Sequence, residues 1–146
     1  MANRPGRALD ILLVEDDEGD VLITREALAE QRIPGVLHVV HDGDQALQFV
    51  HRTGRYTAAP RPDLVLLDLN LPRRGGLEVL AELKSHPSLR LIPVVVLSTS
   101  GAEEDMVRSY SLHANAYVCK PAEADTFMTV IRRIDEFFAF VAQLPH

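Results

Sequence analysis

The sequence predicts a single α/β domain built on a parallel β-sheet. Short apolar runs that fit strands alternate along the chain with segments whose apolar residues recur at helical spacing. The runs 64–67 and 94–97 are apolar at every position, which is typical of strands covered on both faces in a parallel sheet. Short crossovers between successive strands favour right-handed βαβ units. The length of 146 residues suits one domain with a real core.

Composition excludes several classes of function. The net charge of -6 argues against nucleic acid as a direct partner, because phosphate binding needs a basic face. No apolar stretch reaches the roughly 20 residues of a membrane span, so we expect no membrane association. The single cysteine excludes an internal disulfide and indicates a reducing compartment. We therefore expect a cytoplasmic protein.

The first half of the chain holds two predicted strand–helix units. Residues 1–8 are polar and read as a loose tail, which leaves 9–146 as the folded domain. Pro34 and Gly35 end the first helix, and Asp44 is the expected N-cap of the second. The predicted elements are a strand over 9–14, a helix to about 31, a strand over 36–40 and a helix to about 50.

The second half repeats the alternation three times. Pro87 should follow the end of a helix, and the acids at 103–105 favour the first turn of another, where the helix dipole stabilises negative charge. The predicted elements are strands at 64–67, 94–97 and 116–119, and helices at about 77–85, 103–112 and 122–142. The last helix is unusually long for the domain that it closes.

Polar side chains follow four of the five predicted strands. Glu15 and Asp16 follow the first, Asp68 the third, Ser98 the fourth and Lys120 the fifth. The carboxyl ends of parallel strands meet at one edge, where open α/β sheets bind ligands, so these residues are expected to share a pocket. Crowded carboxylates repel one another unless a cation relieves them, and oxygen ligands suit Mg²⁺. Asp68 is then best interpreted as a nucleophile that becomes an acyl phosphate.

The same segments resemble the receiver domain of two-component response regulators, and the resemblance covers nearly the whole chain. The matching motifs are 11–17, 63–72, 92–98 and 117–121. Each is moderately specific alone, and their order and spacing together are highly specific. The resemblance implies a CheY-like, flavodoxin-like (βα)5 fold with strand order 2-1-3-4-5.

The resemblance also implies a role for each matching residue. Asp68 would be the phosphoacceptor, Asp16 a direct Mg²⁺ ligand, and Glu15 a ligand that acts through metal-bound water. Further roles are a metal-binding backbone carbonyl at Asn70, phosphoryl contacts from Ser98 and Lys120, a switch aromatic at Tyr117, and a cis peptide bond before Pro121.

A narrower resemblance concerns the last helix. Residues 130–138 and the run 98–100 are similar to single-domain response regulators paired with phytochrome-type histidine kinases. The implied function is a stand-alone receiver that takes a phosphoryl group from a kinase phosphohistidine and reshapes the face made by the fourth helix, fifth strand and fifth helix. Its partners would be a sensor histidine kinase, for which the narrower resemblance implies the phytochrome type, and a downstream phosphotransfer protein.

The apolar residues of the last helix predict a homodimer. A helix of about 20 residues is about 30 Å long, longer than the sheet edge that it must cover, so its last turns would expose apolar side chains. The expected interface is Phe127, Ile131, Ile134, Phe137, Phe138 and Val141. The alternative is that these residues fold back onto the domain.

An enzyme of the haloacid-dehalogenase type is the rival function. Such a phosphohydrolase also uses an aspartate nucleophile, but it requires a second acid two residues later to protonate the leaving group. That position here is Asn70, which cannot serve as an acid. We therefore expect a phosphoacceptor that catalyses its own phosphotransfer and dephosphorylation, and not an enzyme acting on other substrates.

Overall fold

The structure is a computed structural model, and it describes residues 8–141. Five strands alternate with five α-helices. The strands are β1 (Asp10–Val14), β2 (Val36–Val40), β3 (Leu64–Asp68), β4 (Val94–Ser98) and β5 (Ala116–Cys119). The helices are α1 (Glu18–Ala29), α2 (Gly43–His51), α3 (Gly76–Ser85), α4 (Glu103–Ser111) and α5 (Ala124–Glu136). The predicted alternation is confirmed, with a short 3₁₀ turn at Gly54–Tyr56 inside a predicted loop.

All five strands are parallel and form one sheet in the order β2-β1-β3-β4-β5, which confirms the predicted flavodoxin-like topology. The register aligns the carboxyl ends: Val14 pairs with Leu67, Asp68 with Leu97, and Ser98 with Cys119. The polar residues that end or follow β1, β3, β4 and β5 consequently lie along the same edge.

Two hydrophobic clusters cover the two faces of the sheet. Side chains alternate across a strand, so Leu12 and Val65 pack into one cluster while Ile11 and Leu66 pack into the other. Every residue of β3 and β4 is buried. The fully apolar runs in the sequence therefore reflect a central strand pair with helices on both sides.

Two aspartates cap the N-termini of α1 and α2, which begin at the carboxyl edge of the sheet. Asp17 caps α1 by accepting hydrogen bonds from the backbone N–H groups of Gly19 (2.8 Å) and Asp20 (3.1 Å). The cap of α2 is Asp42, whose Oδ1 accepts from the Gln45 N–H at 2.8 Å. The prediction of Asp44 as this cap is wrong, because the helix begins at Gly43 and Asp44 already lies in its first turn.

The long last helix is not a regular α-helix to its end. It is α-helical from Ala124 to Glu136 and continues as a π-helical turn over Phe137–Val141. Residue 142 lies outside the described residues, as does the tail 1–7. Within 8–141, no helix combines the length and apolarity needed to cross a bilayer.

The predicted dimer residues differ widely in exposure. Phe127 and Ile131 are 2% and 1% exposed and belong to the core cluster between α5 and the sheet, so their assignment to an interface is wrong. Ile134 and Phe138 are half-buried against the same cluster, and Phe137 is 50% exposed. The side chain of the sixth residue, Val141, lies outside the described part of the chain.

Candidate functional site

The sheet edge brings three carboxylates into one cluster. Oxygen atoms of Glu15, Asp16 and Asp68 all lie within 4.8 Å of one another. Glu15 and Asp68 are buried, with 1% and 6% exposure, whereas Asp16 is exposed. Two residues that follow β1 and one that ends β3 therefore form a pocket that opens to solvent on the side of Asp16.

Lys120 reaches this cluster from the end of β5. Its Nζ donates to Glu15 Oε1 at 2.6 Å, to Asp20 Oδ2 at 2.9 Å and to Asp68 Oδ2 at 3.3 Å. The Lys120 side chain is only 5% exposed. A backbone hydrogen bond from the Lys120 N–H to the Ser98 carbonyl oxygen, 2.8 Å long, fixes the start of this side chain beside β4.

Asp20 is the pocket residue that the sequence analysis missed. It lies in the first turn of α1, three residues after the cap Asp17. Its carboxylate faces Lys120 and is partly exposed. No spacing in the sequence marks Asp20, because its contact with Lys120 depends on how α1 is rotated against the end of β5.

Burial and the neighbouring Asp68 perturb the carboxyl group of Glu15. Burial, followed by the hydrogen bond and negative charge of Asp68, raises the pKa of Glu15 from 4.5 to about 8, against the opposing effect of Lys120. Burial lowers the pKa of Lys120, but its bonds to Glu15 and Asp20 outweigh burial and raise that pKa above its usual range. The pocket therefore holds more negative charge than one ammonium group neutralises.

These residues fit a divalent cation. The cluster consists of carboxylate oxygens, which suit Mg²⁺, and a bound cation would stabilise the charged form of Glu15, which burial and the neighbouring Asp68 disfavour. Asp16 offers a carboxylate already exposed to water, as suits an ion that keeps several water ligands.

The chain after Asp68 turns sharply and leaves one carboxylate oxygen facing Lys120. Asp68 Oδ1 accepts a hydrogen bond from the Asn70 N–H at 3.1 Å, and Oδ2 is the oxygen nearest Lys120. The start of α3 packs against this turn, since a Cβ on Gly76 would collide with the Asp68 carbonyl oxygen. The glycine at position 76 lets α3 begin in close contact with the backbone of Asp68 and Leu69.

Ser98 and Tyr117 meet at the loop after β4. Ser98 is fully buried, and its Oγ accepts a hydrogen bond from the Ser100 N–H at 3.0 Å. The half-buried Tyr117 ring packs against the core, and its hydroxyl donates to the Ser100 carbonyl oxygen at 2.9 Å. The hydroxyl groups of Ser98 and Tyr117 thus both bond to the backbone of Ser100, so a displacement of the loop after β4 would disturb both contacts.

The expected cis bond before Pro121 is absent. The described residues contain no cis peptide bond, so the Lys120–Pro121 bond is trans. The trans form is favoured by about 0.5–1 kcal/mol even before proline. Lys120 reaches the three acids with this trans bond in place.

The fold and the pocket define a flavodoxin-like α/β protein with a carboxylate cluster and a lysine at its sheet edge. A family model described as the response regulator receiver domain matches residues 11–132. The chain belongs to the response regulator receiver domain family, as its motifs predicted.

Several relatives match nearly the whole chain. Response regulator Rcp1 of Synechocystis sp. is 43% identical over 135 residues, which are 92% of each protein. The crystal structure of the phosphorylated cyanobacterial phytochrome response regulator RcpA has a TM-score of 0.92 and 46% identity, covering 95% of this chain and 99% of that one. The Mn²⁺-bound form of Rcp1 has a TM-score of 0.90 and 42% identity, with 94% and 99% coverage.

The phosphohydrolase alternative is not favoured. The family assignment points to a signalling receiver. Asn70, which occupies the position of the second acid, is exposed and cannot supply a proton to a leaving group.

Proposed function

We propose that Asp68 accepts a phosphoryl group and that this modification is the signal the protein carries. The proposal is carried by one observation: an aspartate that ends a central strand lies within 4.8 Å of two further carboxylates and within 3.3 Å of a lysine ammonium. An Asp68 oxygen forms the new bond to phosphorus as the bond from phosphorus to a histidine nitrogen of the donor breaks. The electron pair of the broken bond stays on the imidazole.

Mg²⁺ is the proposed cofactor. When bound, it offsets the negative charge of the acids and of the phosphoryl oxygens. Asp16 and Asp68 would hold the ion directly, Glu15 through water, and Asn70 through its backbone carbonyl. The relative Rcp1 has been solved in a Mn²⁺-bound form, and the carboxylates here supply the same hard oxygen ligands.

Lys120 and Ser98 are the proposed partners of the phosphoryl group. Lys120 already lies beside Asp68 Oδ2, where a phosphoryl oxygen would be placed, and its ammonium group offsets charge there. Ser98 ends β4 next to Asp68 in the sheet and would donate its hydroxyl proton to a phosphoryl oxygen.

The switch follows from the contacts of Ser100. If Ser98 turns toward the phosphoryl group, its Oγ gives up the hydrogen bond from Ser100, and the loop that Tyr117 also holds is released. Tyr117 would then turn inward, and the face formed by α4, β5 and α5 would change shape. The phosphoryl charge biases a population of two states, in the manner of other phosphorylation switches.

We infer that the phosphoryl donor is a sensor histidine kinase of the phytochrome type. This inference rests on the relatives, since RcpA is described as a cyanobacterial phytochrome response regulator. A downstream phosphotransfer protein is the proposed recipient of the group. The protein would catalyse only its own phosphorylation and dephosphorylation, in the cytoplasm as its single cysteine predicts.

The experiment is incubation with acetyl phosphate, with and without Mg²⁺, followed by intact mass. We expect a gain of one phosphoryl group that needs Mg²⁺ and is absent from Asp68→Asn. Asp44→Asn is the matched control, because Asp44 is a half-buried acid near the same edge and is paired with Arg74. Phosphorylation that persists in Asp68→Asn would defeat the proposal.

We also propose a homodimer, with its contact at the end of α5 and the π-helical turn. Phe137 is half-exposed and stacks edge-on with Phe138, with 5.1 Å between ring centroids, so burying both rings would remove apolar area from water. Ile134 lies one turn earlier and is half-buried. Sedimentation of wild type and Phe137→Asp at tens of micromolar tests this, and a wild-type protein that stays monomeric would count against it.

A further inference from the structure

The side chain of Asp20 has a contact that the proposed phosphotransfer does not use. Its Oδ2 accepts a hydrogen bond from Lys120 Nζ at 2.9 Å, which is shorter than the 3.3 Å bond from Lys120 to Asp68. The backbone of Asp20 has separate structural bonds: its N–H donates to the Asp17 cap and its carbonyl oxygen accepts from Thr24 Oγ1. The Asp20 carboxylate therefore binds Lys120, while the Asp20 backbone stabilises the first turn of α1.

The lysine has no spare donor. An ammonium group donates three hydrogen bonds, and those of Lys120 go to Glu15, Asp20 and Asp68. To donate to an arriving phosphoryl oxygen, Lys120 must release one acid. Asp20 is the partner best placed to be released, because its side chain is 23% exposed and water can take over, whereas those of Glu15 and Asp68 are 2% and 8% exposed.

We propose that Asp20 is a positioning residue that holds Lys120 in the resting pocket and so restrains its transfer to the phosphoryl group. This inference rests on the proposed function of Asp68 as phosphoacceptor. The bond to Asp20 competes with a new hydrogen bond from Lys120 to a phosphoryl oxygen on Asp68. The Asp20 carboxylate also repels the anionic donor, and both effects act in the same direction.

The test variant is Asp20→Asn, which keeps the size of the side chain and replaces a charged hydrogen-bond acceptor by a weaker neutral one. Glu18→Gln is the matched control. It removes the same charge from the same turn of α1, and Glu18 is exposed. A purely long-range charge effect would change both variants alike, whereas the proposed contact changes only Asp20→Asn.

The first measurement needs neither metal nor phosphate. The ¹⁵N–¹H signal of the Lys120 ammonium group is followed by NMR in the metal-free protein. We expect slow exchange with water in wild type and in Glu18→Gln, and faster exchange in Asp20→Asn, because one of three bonds is weakened. An unchanged signal in Asp20→Asn would overturn the inference.

The second measurement is the phosphorylation rate with acetyl phosphate and Mg²⁺, at limiting and saturating donor. Asp20→Asn should be faster than wild type by at least about twofold, the size of a partly exposed charge pair, and Glu18→Gln should match wild type. Equal rates in wild type and Asp20→Asn, or a slower variant, would overturn this inference alone. A wild type that gains no phosphoryl group would overturn the proposed function and, with it, this inference.

Discussion

The perturbed carboxyl of Glu15 makes the stability of the protein depend on pH in a direction that can be measured. In the folded state its pKa is about 8, against an ordinary value of 4.5. Between these two values the unfolded chain has released the proton while the folded chain still holds it. The free energy of unfolding must therefore fall as pH rises through this window.

The size of this change in the free energy of unfolding follows from the pH range between the two pKa values of Glu15. Each pH unit inside it costs about 1.4 kcal/mol for one group, so Glu15 alone removes about 2 kcal/mol between pH 6 and pH 8. For a domain of this size that corresponds to a lower Tm by roughly 4–8 °C. The Glu15→Gln variant cannot titrate and should lose this part of the slope.

Urea unfolding followed by circular dichroism, at pH 6 and pH 8 in a chelating buffer, measures the effect. Burial also raises the pKa of Asp135, so the decisive quantity is the difference in slope between wild type and Glu15→Gln. Glu18→Gln, an exposed acid of the same region, should keep the wild-type slope. Identical slopes for wild type and Glu15→Gln would show that Glu15 does not titrate between pH 6 and pH 8 in the folded protein.

Three further predictions concern the metal and the two contacts that shape the pocket edge. Mg²⁺ must displace the Glu15 proton, so its affinity by calorimetry should rise from pH 6 to pH 8 by at least about tenfold; a flat profile would contradict this. Gly76→Ala should destabilise the protein in urea by about 2 kcal/mol, because its Cβ would lie 2.6 Å from Leu69 Cα. Gly75→Ala meets nothing within 4 Å and should cost only about 0.5 kcal/mol, the effect of alanine at the N-cap of α3. Asp42→Ala should cost about 1 kcal/mol as a lost cap, and more than Asp44→Ala; the reverse order would restore Asp44 as the cap.

The polar residues at the carboxyl edge of the sheet could be predicted because they follow apolar runs. An unbroken run such as 64–67 marks a buried strand, and the residue after it must lie at the carboxyl edge of a parallel sheet. Residues as distant in sequence as Glu15 and Lys120 can then be predicted to lie together from the strand order alone, without any knowledge of side-chain conformation.

The errors concern choices that the sequence pattern leaves open. Asp42 and Asp44 are both acids at a helix start, and only the backbone conformation decides which one caps it. Apolar residues at helical spacing describe a core face and an interface equally well, so Phe127 and Ile131 could not be separated from Phe137. Asp20 was not predicted as a pocket residue, because its contact with Lys120 depends on how α1 is rotated against the end of β5.

The most direct test of the central claim is to locate the phosphoryl group after transfer from a histidine kinase. Brief phosphorylation with Mg²⁺, borohydride reduction of the acyl phosphate and peptide mapping would identify the modified side chain. We predict reduction at Asp68, and only when Mg²⁺ is present. Modification at Asp16 or at Glu15 with Asp68 untouched, or equal modification without a divalent ion, would contradict it.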